Sequence, residues 1–236
     1  MLRSWSVRLS LLAVLMLVLG PLLALLGVLP GLRAMALFTF AAPMGLVGLV
    51  AGIVAALRGR VRDGVVAMAL GSVCLIVVMM PVLASGGRPP INDISTDLED
   101  APAFRAAANV PAYPEAFRPI VKQFYPGLRP LHLDAPPDAA FERALAAARA
   151  QPRWEVTHVD ATARTFEGVA RTRIFGFEDD FLVRVRPDGA GSRVDMRSRS
   201  RVGRGDLGAN AKRIEAFFEA LSPGASVSKE NPGSRR

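Results

Sequence analysis

Three uncharged, apolar runs constrain this chain most: residues 9–29 (LSLLAVLMLVLGPLLALLGVL), 34–57 (AMALFTFAAPMGLVGLVAGIVAAL) and 64–85 (GVVAMALGSVCLIVVMMPVLAS). As a helix, each run is long enough to cross roughly 30 Å of hydrocarbon. None has the polar stripe of a helix packed on a soluble core. The expectation is an integral, multi-pass membrane protein with three spans. The first run is longer than the apolar core of a secretory signal and carries Pro21 in its middle, which favours a retained span over a cleaved leader.

The net charge of +8 does not indicate nucleic acid. Residues 1–90 contribute +6 of it and residues 91–236 only +2, so most of the excess flanks the spans. Arg3, Arg8, Arg58, Arg60 and Arg62 fall on one side of the membrane, against Arg33 and Arg88 on the other. By the positive-inside rule the N-terminus is cytoplasmic and the chain beyond residue 86 is extracytoplasmic. The single cysteine, Cys74, lies within the third run, where it reads as a small packing residue. The outer part therefore has no disulfide and no catalytic or metal-binding thiol. That suits a bacterial inner membrane and its envelope side.

Beyond the spans the chain divides by composition. Residues 1–85 form the transmembrane region, 86–127 a proline-rich strap, 128–221 a regular domain and 222–236 a disordered tail. Repeated X-Pro steps keep the strap extended, with room for a short helix near 114–124. Its acidic stretch INDISTDLED, residues 91–100, lacks the glycine and alternation of a calcium loop and reads as a solvated turn. From residue 128 a short strand (LRPLHL) leads into a helix over 138–151 with Phe141, Leu145 and Ala148 on one face and Asp138 as N-cap. Strands follow at about 153–160, 164–174, 180–187 and 192–202, with turns at GFEDD and PDGAGS. A last helix over 207–221 turns Leu207, Ile214, Phe217, Phe218 and Leu221 inward. The fold class is an α-helical membrane region plus an α+β domain of order β-α-β-β-β-β-α. Its antiparallel sheet has helices on one face, by analogy with helix-grip and TATA-binding-protein-like folds.

Glycines at 203, 205 and 208 in RVGRGDLGANAKRI match the dinucleotide-binding G-x-G-x-x-G spacing. That chemistry needs a parallel βαβ unit, and no strand follows this helix. The loop is instead a strand-to-helix turn capped by Asp206, with a small anion at the helix start, near Arg204 and Asn210, as the functional alternative.

The segments INDISTD (91–97), YP (125–126), FGFEDDFLVRV (175–185) and GSRVDMRSRSRVGRGDLGANAKRI (191–214) resemble the uncharacterised domain-of-unknown-function family 1499 over roughly residues 90–221. The resemblance implies a small α+β domain, often tethered behind membrane spans. It carries no established activity and no catalytic residue.

Strand alternation supplies the remaining candidate chemistry. Val194, Met196, Ser198, Ser200 and Val202 point one way, and Arg193, Asp195, Arg197, Arg199 and Arg201 the other; Val183 and Val185 likewise oppose Arg184 and Arg186. One sheet face is thus lined with arginine, partly balanced by Asp195, Glu167 and Glu155. A face of this kind is either solvated and locally paired or a site for anionic lipid or an acidic envelope polymer. The candidate ligand-binding set is Arg184, Arg186, Arg197, Arg199, Arg201, Arg204, Asp206 and Asn210. Neither His132 nor His158 belongs to a zinc-binding pair, no nucleophile elbow is present, and no cofactor or metal is expected. The expected function is a membrane-anchored binding or interaction module of the cell envelope. Two alternatives stay open: an assembly factor for a membrane complex, and a hydrolase using an acidic site around Asp179 and Asp180.

Overall fold

In the computed structural model, which describes residues 4–222, the chain forms two compact units. Of the described residues, 4–87 group with Arg173–Phe177 in the first; the second holds 88–172 and 178–222. The tail expected from 222 lies outside the described residues after its first position.

The first unit contains α1 (Trp5–Leu25), α2 (Gly31–Leu57) and α3 (Val61–Ala84), each long and apolar enough to cross a membrane. Leu, Val, Ile and Phe side chains face outward, while small residues fill the seams between helices. At Gly45 an added Cβ would come within 2.8 Å of the Cys74 Cβ and of the Gly71 carbonyl oxygen, so these helices pack backbone to backbone. Ser10 Oγ donates across the bundle to the Ala67 carbonyl at 2.9 Å. Cys74 is fully buried in this seam.

The second unit is an antiparallel sheet with helices on one face. Its elements are β1 (Asp93–Ser95), α4 (Phe117–Phe124), β2 (Leu131–Leu133), α5 (Pro137–Ala150), β3 (Trp154–Asp160), β4 (Thr165–Arg171), β5 (Glu178–Asp188), β6 (Gly191–Ser200) and α6 (Ala209–Leu221). The strand order is β1-β6-β5-β4-β3, and β2 shares the β6 edge with β1. Cross-strand rows on the inner face pair Phe166 with Val183, Val183 with Met196, and Val185 with Val194. Phe141 and Leu145 of α5 and Ile214, Phe217 and Phe218 of α6 close the core over these rows.

Several expectations need correction. Asp138 lies in the first turn of α5 but does not cap it; Pro136 occupies the cap position, and Asp138 accepts from Arg164 Nε at 2.5 Å. Val202 lies past the end of β6 and is exposed, not inward. Leu207 is likewise exposed, because the chain before α6 turns through φ = +53° there and the helix begins only at Ala209. The acidic GFEDD segment is not a turn: Glu178, Asp179 and Asp180 are β5 residues, and both aspartates are buried. INDISTD is not solvated either, since β1 runs through it and Asp93 and Asp97 are buried.

Candidate functional site

The second sheet face carries the arginines that strand alternation puts there, but it is covered. Residues 93–113 run across it and deliver its counter-charges. Arg197, 1% exposed, donates to Asp93 Oδ1 and Oδ2 at 3.0 and 2.7 Å. It also donates to the carbonyls of Pro102 and Pro111 at 3.1 and 3.0 Å. Its guanidinium lies 5.1 Å from the Phe104 ring centroid and 5.4 Å from that of Tyr113, so charge, hydrogen bonding and cation–π contact all hold it.

A second cluster joins Arg184, Arg186 and Arg193 to Asp97, Asp100 and Asp195. Asp97 Oδ2 lies 2.6 Å from Arg186 and 2.8 Å from Arg193, and fully buried Asp195 receives all three guanidinium groups. Burial pushes the Asp97 carboxyl up. The Asp100 backbone N–H and the guanidinium groups of Arg186 and Arg193 outweigh it and hold the carboxyl below its ordinary range. Glu167 plays the same part for the backbone, accepting from the N–H groups of Arg105, Ala106 and Ala107 at 2.6–3.1 Å. That is the cradle of successive amides that elsewhere binds an external anion.

The other candidates are occupied in a similar way. Arg201 is bound to Asp180 at 2.7 and 2.9 Å and to Glu178. Arg199 reaches only to 3.9 Å from Asp93 and keeps 22% of its side chain exposed, and Arg204 is exposed. Asp206 accepts from the N–H groups of Gly208 and Asn210 at 2.8 and 2.7 Å. The chain's own carboxylate thus occupies the helix start that would otherwise suit a small anion. Asn210 does not face solvent: fully buried, it accepts from Ser198 Oγ at 2.7 Å and donates to Ser200 Oγ at 3.0 Å. Arg213 joins this network and pairs with Asp179. The loop before α6 needs its glycines: Gly203 and Gly208 have φ of +93° and +85°, and a Cβ on Gly205 would approach Pro90 Cα at 2.8 Å.

Sequence reasoning missed an open concavity of this unit. A cleft of about 420 Å³ lies between the turn after β1 and α4, lined by the apolar Leu98, Val121 and Leu128, by the cations Lys122, Arg129 and Arg193 and by the carboxylates Asp97 and Glu99. Glu99 pairs with Lys122 at 2.9 Å across the rim. No motif marks these cations: Lys122 and Arg129 are close in sequence, but Arg193 reaches them only because β2, just after Arg129, pairs with β6. Among the described residues no group of three His, Cys, Asp or Glu side chains is placed to hold a metal ion.

A family model described as "Protein of unknown function (DUF1499)" matches residues 93–221, and the chain belongs to that family. The match begins at the first residue of β1 and ends at the last of α6. No curated protein and no solved structure matches the chain.

Proposed function

We propose that this member of the DUF1499 family is a membrane-anchored binding module of the bacterial cell envelope, with the sheet domain on the extracytoplasmic side, and that it recognises an anionic group of a lipid or envelope polymer. The observation that carries this reading is the cleft beside α4, where Lys122, Arg129 and Arg193 stand with Asp97 and Glu99 around an apolar floor. Glu99 pairs with Lys122 and Asp97 with Arg193, while Arg129 donates to the Pro126 carbonyl and adds its charge to the rim. That pairing of features suits an anionic head joined to a nonpolar body. The arginine face serves a different purpose in this reading: its charges fasten residues 93–113 to the sheet. Of the candidate ligand-binding arginines, Arg186, Arg199, Arg201 and Arg204 keep enough exposure to add to the surface potential. The acid pair of the hydrolase alternative is engaged, Asp179 by Arg213 and Asp180 by Arg201.

Native mass spectrometry of the full chain in mild detergent tests the reading, with phosphatidylglycerol or phosphatidylcholine added as probes. Wild type is expected to retain phosphatidylglycerol preferentially, and Lys122→Glu/Arg129→Glu to lose that preference. An unchanged preference in the double variant would remove the cleft as the site. A protein retained in place of lipid would favour the assembly-factor alternative.

A further inference from the structure

The loop between β4 and β5, Arg173–Phe177, differs from the other hairpin connections of the sheet. Ala161–Arg164 and the Gly189–Ala190 turn carry only small or polar residues, whereas this loop reads RIFGF. Ile174 is 44% exposed, a state that an isoleucine in a water-facing hairpin gains nothing from. Phe175 stacks at 5.9 Å on Phe177 and, within the first unit, at 5.9 Å on Phe38 of α2. Gly31, at the start of α2, leaves no room for a Cβ beside the Phe175 carbonyl oxygen. Phe38 is seven residues into α2, about 10 Å along its axis. The loop therefore groups with the first turns of a helix that is long and apolar enough to cross a membrane, and the ends of such helices are where aromatic side chains concentrate.

We propose that Arg173–Phe177 is a fourth membrane contact: a hairpin tip whose Ile174, Phe175 and Phe177 sit in the headgroup–acyl boundary beside α2, with Arg173 reaching to lipid phosphates. Its chemistry is that of an interfacial anchor, apolar and aromatic at the tip with a cation at the base. The contact is independent of the cleft and of any ligand there.

The test uses the full chain in nanodiscs, in a Cys74→Ala background, with a fluorophore attached at Ile174→Cys or at Ala190→Cys. Ala190 serves as the reference because the two sites lie at opposite ends of β5, about 35 Å apart at strand rise. The Ile174 label is expected to be quenched several-fold more by nitroxide-bearing lipid than by aqueous iodide, and the Ala190 label the reverse. A Phe177→Cys label is expected to follow Ile174, which guards against a local effect of one substitution. Equal iodide quenching at Ile174 and Ala190 would overturn the proposal. Shielding of Ile174 from both quenchers would overturn it equally, because protein and not lipid would then cover the loop.

Discussion

Removing the Asp93 carboxylate tests whether the arginine face is a fastening or a surface. The Asp93→Ala variant would leave the Arg197 guanidinium buried, with two of its acceptors gone and only the Pro102 and Pro111 carbonyls remaining. Breaking a buried pair by deleting one partner costs about 3–5 kcal/mol, because the surviving charge stays desolvated. For a domain of this size that corresponds to a fall in Tm of about 10–20 °C. Thermal unfolding of the full chain in detergent reads this through Trp154, which stacks 4.4 Å from Phe181, in a Trp5→Phe background. The double variant Asp93→Ala/Arg197→Met also removes the buried cation, with an unbranched apolar side chain along the arginine stem, and is expected to recover at least half the loss. Glu99→Ala, which breaks the exposed pair with Lys122, is expected to leave Tm unchanged. A drop of less than about 3 °C in Asp93→Ala, or a double variant no better than the single, would refute the reasoning.

Four further outcomes follow from the same structure. The depressed Asp97 carboxyl contributes stability above its unfolded pKa of about 4 and loses it as pH falls through the lower folded value; acid unfolding should therefore steepen below about pH 4 in wild type and flatten in Asp97→Asn. Burial raises the pKa of both tyrosines, helped by Asp93 at Tyr113 and by Asp206 at Tyr125. An alkaline absorbance titration should accordingly show no phenolate through about pH 10 until the domain unfolds. Asp206→Ala should cost about 0.5–2 kcal/mol, and Gly205→Val or Gly208→Val more, in denaturant titrations, while NAD or ATP leaves Tm unmoved. A reporter active only outside the cytoplasm should be active when fused after residue 221 and silent within 58–63; the reverse pattern would sink the envelope assignment.

What was legible in the sequence was local or periodic. The alternation through 191–200 gives both faces of β6 correctly, because a period of two leaves no choice once one face is apolar. The Asp206 carboxylate accepts from amides within four residues of it, although Gly208, two residues on, holds the cap position of α6. The misread features all depend on distant partners. Asp93 and Asp97 look like a hydrated turn because a three-residue strand has no measurable period, and their arginines lie about a hundred residues on. Asp179 and Asp180 follow a glycine and look like loop residues until Arg213 and Arg201 are brought beside them. The cleft is invisible for the same reason: Arg193 joins Lys122 and Arg129 only through the sheet.

The pairing of β1 with β6 also sets a schedule for biosynthesis. Asp93 precedes Arg197 by 104 residues, so at about 5–20 residues per second the strap waits about 5–20 s for its partner to be made. Through that interval it stays an unpaired, acidic, proline-rich ribbon, a composition that resists collapse and aggregation. The nascent sheet meanwhile lacks the strand to which β1, β2 and β5 all pair, and a chain stalled at residue 190, without β6 and α6, would expose Phe166 and Phe181 to whatever chaperone is near. Completion of β6 gives the strap its partner, and α6, made next, closes the inner face. Stalled chains of increasing length, probed with protease, should show residues 93–113 becoming resistant only after residue 200 has emerged.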